Sequence, residues 1–102
     1  MSITQQVFDQ GKKVKINVFG RFDYGLSHMF REAYLNLEKV DGVNFHINLS
    51  AASYIDSSAL GMLLLLREYA KNLGGKVIIE RPCEQISSFL KVAKFDQLFA
   101  IH

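Results

Sequence analysis

Asp56, Ser57 and Ser58 stand directly before one of the most apolar runs of the chain, residues 59 to 66. A carboxylate at such a point accepts hydrogen bonds from the free backbone N–H groups of a helix's first turn, so Asp56 is predicted to be an N-cap. The two serines then lie in that first turn, where the helix dipole and N–H groups tolerate a phosphate. By themselves these residues favour a helix start that is simply capped, and a phosphorylation site is the alternative.

A helix is predicted from about Ser57 to Leu73, because Gly74 and Gly75 follow in the capping position. On a wheel with about 100° per residue, the core-facing residues lie opposite Ser57, and Ser58 lies at the boundary. Those core-facing residues are Ala59, Met62, Leu63, Leu66, Tyr69, Ala70 and Leu73. Ser57 is therefore expected to face solvent, where a partner enzyme can reach its hydroxyl.

Leu60 and Leu64 break this pattern, because they lie on the same side of the wheel as Ser57. Two aligned leucines beside an accessible hydroxyl predict a docking strip for another protein. Gly61 lies between them, where it lowers helix propensity and lets a partner's backbone approach. A phosphate on Ser57 would add a charge of about −1.5 to −2 next to the strip. This suggests binding in the unmodified form and release in the phosphorylated form.

The hydrophobic period alternates between two and 3.6 residues along the chain, which indicates strands and helices in turn. The predicted strands are residues 3–8, 13–20, 44–50 and 76–80, with a short last strand at 97–102. The predicted helices are residues 27–40, 57–73 and 84–93.

Strands joined by helices pair in parallel, so we predict an α/β fold with a mixed sheet of four to five strands. One face of this sheet is expected to be polar, and the helices are therefore expected to pack mainly on the other. The polar residues that indicate this are Lys15, Asn17, His46 and Asn48.

Composition disfavours several classes of protein. The 102 residues are 49% hydrophobic and 22% charged, which suits a single domain over residues 1–102. The net charge of +2 is scattered, which argues against nucleic-acid binding. The longest strongly apolar stretch is well short of the ~18 residues of a membrane span. Because the first ten residues also lack the features of a signal peptide, we expect a cytoplasmic protein.

Residues for enzyme or cofactor chemistry are not evident in the sequence. Cys83 is the one cysteine, and the three histidines have no metal-ligand spacing. The sequence shows no Walker-type phosphate loop and no base that would activate Ser57 as a nucleophile. We therefore expect no metal, no cofactor and no enzymatic activity.

Residues 54–66, YIDSSALGMLLLL, resemble the signature of the anti-sigma factor antagonist family, the STAS domain. Residues 20–24, GRFDY, resemble the family's Gly-x-Leu/Phe-Asp element after the second strand, and Asp23 matches its Asp. Residues 74–102 resemble the family's last strand, last long helix and closing segment. The likeness spans nearly the whole chain, with one departure: Ala59 stands where the family usually has Gly.

This resemblance implies a bacterial, non-enzymatic switch with a STAS-like fold. Members of this kind bind an anti-sigma factor, often a serine kinase with an ATP-lid fold, and thereby free a sigma factor or another target. The kinase phosphorylates the first Ser of the element, here Ser57, and a PP2C-type phosphatase restores it. Asp23 is then expected beside the helix start, where it would order the kinase's approach; a local Asx-turn is the alternative.

If the chain is an interaction module, one set of residues around Ser57 is predicted to contact the partner. These residues are Asp23, Asp56, Ser58, Leu60, Gly61 and Leu64. A small-ligand or nucleotide sensor that uses the same loops is a second interpretation, which requires a concave pocket with polar anchors.

Overall fold

The computed structural model describes residues 2–102, and within them the chain forms five strands and three α-helices. In chain order these are β1 (Ile3–Phe8), β2 (Lys13–Phe22), α1 (Ser27–Leu35), β3 (Asn44–Ile55), α2 (Ser57–Asn72), β4 (Lys76–Glu80), α3 (Glu84–Val92) and β5 (Ala100–Ile101). Short 3-10 turns lie at Asp9–Gly11, Tyr24–Leu26 and Phe95–Gln97. None of the helices in residues 2–102 combines the length and apolar character that crossing a membrane requires.

The strands lie in the sheet in the order β1-β2-β3-β4-β5, which is their order along the chain. β1 and β2 form an antiparallel hairpin, and every later neighbouring pair is parallel. A parallel pair needs a crossover, and here α1, α2 and α3 each lie in one. The predicted mixed α/β sheet with parallel helix-linked strands is confirmed.

Side chains alternate between a buried and a polar sheet face. The buried face of β2 and β3 joins one cluster with helix residues such as Phe30, Leu63 and Leu90. On the opposite face, Asn48 Nδ2 donates a hydrogen bond of 2.9 Å to Asn17 Oδ1. The helices therefore pack on one face, as predicted, and cross-strand hydrogen bonds stabilise the polar side chains of the other.

Four predicted boundaries are wrong, each for a tertiary reason. α1 ends at Leu35 rather than at residue 40, although Leu37 and Val40 in the following loop are half buried. Their spacing resembles that of a helix face because this loop is itself partly buried against the domain. β2 continues to Phe22 rather than to residue 20, and β3 continues to Ile55 rather than to residue 50, because the ends of these two strands pair with each other. At the carboxyl end, Ala100–Ile101 alone forms strand, since Phe95–Gln97 is a 3-10 turn.

Tyr34 on α1 should make the free energy of unfolding depend on pH in the alkaline range. Burial raises the pKa of its phenol above the ordinary value of 10.0, with Arg31 lowering it and Tyr69 raising it further. The folded chain then keeps a proton that the unfolded chain releases, so this contribution is complete below about pH 10 and is lost as pH rises through the folded pKa. In urea unfolding across that range, Tyr34→Phe should reduce the fall in unfolding free energy with pH.

The matched control for this experiment is Tyr24→Phe, because Tyr24 is 76% exposed. This variant should keep the wild-type pH dependence. An equal fall in wild type and Tyr34→Phe would contradict the assignment to Tyr34.

Candidate functional site

The parallel pairing of β2 and β3 brings Asp23 and Asp56 to the same sheet edge. Phe22 and Ile55 are cross-strand neighbours, and the two aspartates follow them directly. In open α/β sheets, ligands bind outside the carboxyl ends of the parallel strands. The structure therefore places Asp23 near the start of α2, as the resemblance implied.

Two irregularities in β3 set this register, because each shift places one extra residue of β3 opposite the regular strand β2. The β2–β3 pairing shifts between Asn17 and Phe19 and again between Gly20 and Arg21. Gly20 has φ +76°, a backbone conformation that side chains disfavour, and it lies at the second shift. Phe22 is fully buried two residues later. The Gly-x-Phe-Asp element thus has a physical basis: a glycine with positive φ where β3 bulges opposite it, a buried anchor at Phe22, and Asp23 at the edge of the sheet.

Asp56 is the N-cap of α2, as predicted. Its Oδ1 accepts hydrogen bonds from the backbone N–H groups of Ser58 at 3.0 Å and Ala59 at 3.2 Å. The helix begins at Ser57, whose side chain is exposed, and Ser58 is half buried. The first hydroxyl of the pair is therefore the more accessible one.

Asp23 makes local contacts that hold its carboxylate in place. Its Oδ1 accepts from the backbone N–H of Gly25 at 3.0 Å, which is the Asx-turn considered as the alternative role. Its Oδ2 lies 3.3 Å from Nε of Arg21, and the Arg21 guanidinium lies 3.9 Å from the ring centroid of Tyr54. Sequence reasoning missed this role of Arg21. Arg21 and Tyr54 become cross-strand neighbours only because of the extra residues that β3 contains at its bulges.

The exposed face of α2 differs in part from the predicted strip. Leu64 is 41% exposed and Gly61 is exposed, as the wheel required. Leu60 is half buried rather than exposed, and it packs against the buried cluster. The prediction that it lies on an open strip is therefore wrong. The reason is its position at the edge of the polar face, where a long side chain can turn toward the core. Leu65, which sequence reasoning missed, is 60% exposed.

A small hollow of about 140 Å³ lies beside the site, between the end of β3 and α3. Tyr54, Ile86 and Phe89 contribute to its lining. Typical small-molecule pockets are larger, at about 300–1,000 Å³. Within residues 2–102, no group of three or more His, Cys, Asp or Glu side chains is arranged to hold a metal ion.

A family model described as the STAS domain matches residues 5–102. The chain belongs to the STAS domain family. A STAS-domain containing protein of Pseudomonas aeruginosa (strain UCBPP-PA14) is 36% identical to it over 101 residues, which is 99% of each chain. The family that the motifs suggested is thereby confirmed.

Solved structures share the fold of this STAS domain. The anti-sigma factor antagonist SpoIIAA in its unphosphorylated form has a TM-score of 0.79 at 16% identity, over 98% of this chain and 87% of that one. The phosphorylated form of SpoIIAA, described as a Bacillus cell fate determinant, has a TM-score of 0.67 at 15% identity, over 98% and 90%. An anti-sigma factor antagonist from Mycobacterium paratuberculosis has a TM-score of 0.66 at 22% identity, over 99% and 86%.

The departure from the family pattern at Ala59 fits this fold. Ala59 is fully buried in the first turn of α2 and belongs to the core cluster. Its methyl group therefore points away from the exposed face that carries Ser57, and Ala favours the helix more than Gly does.

Proposed function

We propose that this STAS domain is a protein-interaction module switched by phosphorylation of Ser57. Its unphosphorylated form binds an anti-sigma factor or a serine kinase of ATP-lid fold, and phosphorylation releases that partner. The observation that carries the proposal is one exposed surface on α2, in which the hydroxyl of Ser57 lies in the first turn and Leu64 and Leu65 lie two turns further on.

The charges around Ser57 explain why a phosphate would oppose docking. The carboxylates of Asp23 and Asp56 follow neighbouring strand ends, and Arg21 is already paired with Asp23. A phosphate would add about −1.5 to −2 charge to this edge. The α2 dipole stabilises that charge in the free domain, so the fold tolerates it. A docked apolar partner would instead have to bury the charge, which costs several kcal/mol if it is unpaired.

The partner class is inferred from relatives of the same fold. SpoIIAA is described as an anti-sigma factor antagonist and has been solved in unphosphorylated and phosphorylated forms. We propose a PP2C-type phosphatase as the enzyme that restores Ser57, and the cytoplasm as the compartment in which an ATP-using kinase meets the domain. The module itself performs no catalysis in this scheme. The hollow beside the site, at about 140 Å³, favours a protein partner over a small ligand.

Phosphorylation of Ser57 is the direct test of this function. We expect the purified partner kinase, isolated on the immobilised domain, to add one phosphate to the wild-type chain in the presence of ATP. Ser57→Ala should accept none, because Ser57 is the exposed hydroxyl. Intact-mass spectrometry measures the result. Ser58→Ala is the matched control and should still be phosphorylated, and phosphate on Ser57→Ala but not on Ser58→Ala would contradict the proposal.

Leu64→Glu should separate docking from folding. Leu64 is 41% exposed, so the change should alter the free energy of unfolding by less than about 1 kcal/mol. A buried glutamate at the interface should weaken partner binding by more than about tenfold. Isothermal titration with the purified partner measures the affinity, and urea unfolding measures the stability.

Val92→Glu is the matched control, since Val92 is an aliphatic helix residue with 84% exposure on α3. We expect Val92→Glu to bind like wild type. Loss of folding in Leu64→Glu would show that Leu64 belongs to the core, and wild-type affinity would remove α2 from the docking surface.

A further inference from the structure

The two edges of the sheet differ in how they are protected. β5 is two residues long, and a short edge strand gives another chain little to pair with. β1 is six residues long, and within residues 2–102 it pairs with β2 alone, so its other side is unpaired. Its sequence, ITQQVF, has no charged residue and no proline, which are common devices against edge pairing.

We propose that β1 pairs in antiparallel fashion with β1 of a second copy of this chain, with the two-fold axis at Gln5. This surface is separate from the site around Ser57, so the proposal is independent of the function proposed above. The two five-stranded sheets would join into one of ten strands.

The register of this pairing follows from the faces of β1. Ile3 and Val7 pair with Val18 and Val14 of β2, so both face the helix side of the sheet. Ile3 is buried, whereas Val7 is 50% exposed. Directly opposed residues share a face. With the axis at Gln5, Val7 of one copy lies opposite Ile3 of the other, and the two Gln5 side chains lie opposite each other between these apolar pairs.

Two hollows lie along this edge, one at each end of β1. One, of about 230 Å³, lies at the Ile3 end and is lined by Gln5 and the 43% exposed Met29. The other, of about 450 Å³, lies at the Val7 end and is lined by Val40 among other residues. Antiparallel pairing places the Ile3 end of one copy against the Val7 end of the other, so Met29 and Val7 are covered at both ends.

The strand itself presents no charge that opposes a second copy. Because β1 carries no charged side chain from Ile3 to Phe8, like charges do not face each other along the paired strands, and Glu32 and Glu38 are the acidic residues that line the hollows at the two ends. One strand from each copy makes a small interface, and interfaces below about 1,200 Å² are typically transient. We therefore expect a reversible dimer with a micromolar dissociation constant.

Sedimentation velocity over a concentration series tests the dimer. The wild-type chain should shift from monomer to dimer as its concentration rises through the micromolar range. Val7→Lys should weaken the dimer at least tenfold, because the lysine would be buried opposite Ile3. Val92→Lys, which alters another exposed valine, should dimerise like wild type. A monomer at all concentrations, as expected if a different protein covers this edge, would overturn the proposal, as would a dimer unaffected by Val7→Lys.

Disulfide trapping tests the register and does not depend on the folding of Val7→Lys. In a Cys83→Ser background, Gln5→Cys places two thiols directly opposite one another across the axis, within reach of a disulfide. This variant should form a covalent dimer on mild oxidation, whereas Gln6→Cys, which would lie opposite Thr4, should not. Trapping through Gln6→Cys alone would overturn the assigned axis.

Discussion

Ser57→Asp is expected to weaken the complex with the kinase-type partner by about a hundredfold, while Ser57→Ala keeps wild-type affinity. The aspartate places a permanent charge at the exposed first turn of α2, beside the Asp56 carboxylate. Burying that charge unpaired under a partner costs several kcal/mol, and about 2.7 kcal/mol already corresponds to a hundredfold loss. Isothermal titration of the three forms against one purified partner measures the difference.

Ser88→Asp is the control for the added charge, because Ser88 is an exposed serine on α3. It should leave the affinity unchanged. If Ser57→Asp binds like wild type while Leu64→Glu does not, α2 is a docking surface that phosphorylation of Ser57 does not control. If both bind like wild type, the partner docks elsewhere.

Gly75→Ala is expected to destabilise the fold by about 3–5 kcal/mol, one of the largest effects for a single methyl group. A Cβ on Gly75 would lie 1.6 Å from the carbonyl oxygen of Val43 and 2.6 Å from its carbonyl carbon. These are backbone atoms of the residue just before β3, so a side-chain rotation cannot relieve the clash. Because Lys76 N donates to the same oxygen at 3.3 Å, a shift would also disturb the β3–β4 pairing.

Gly61→Ala is the matched control for this experiment. A Cβ on Gly61 meets no atom within 4 Å, and Ala favours a helix interior over Gly by about 1 kcal/mol. Urea unfolding should therefore show a gain of about 0.5–1 kcal/mol for Gly61→Ala and a severe loss for Gly75→Ala. A loss below about 1 kcal/mol for Gly75→Ala would mean that β3 and the α2–β4 connection are less closely apposed than the structure shows.

The start of α2 was predictable because its signals are local. Asp56 is an N-cap in the structure, and the helix runs from Ser57 to Asn72, one residue short of the predicted end. Capping and hydrophobic period depend on residues within a few turns of each other. The exposure of Ser57 follows from the same wheel, although phosphorylation itself stays a prediction.

The surroundings of Ser57 were less predictable, because they depend on contacts between distant segments. The wheel placed Leu60 and Leu64 together, but the buried cluster beneath α2 draws Leu60 inward. The stacking of Arg21 on Tyr54 depends on the two bulges in β3, which change the β2–β3 register. A one-residue change of register reverses the face of every following side chain, and sequence period alone does not report it.

The sequence by itself determined the alternation of strands and helices, the cap and core face of α2, and, through its motifs, membership of the STAS family. Those features depend on neighbours in the chain, for which residue type and spacing are sufficient. The tertiary structure alone decided that Arg21 stacks on Tyr54, that Leu65 rather than Leu60 faces solvent, and that, within residues 2–102, β1 is paired on one side only. These features depend on which strands pair and in which register, and that choice is made by packing across the whole domain.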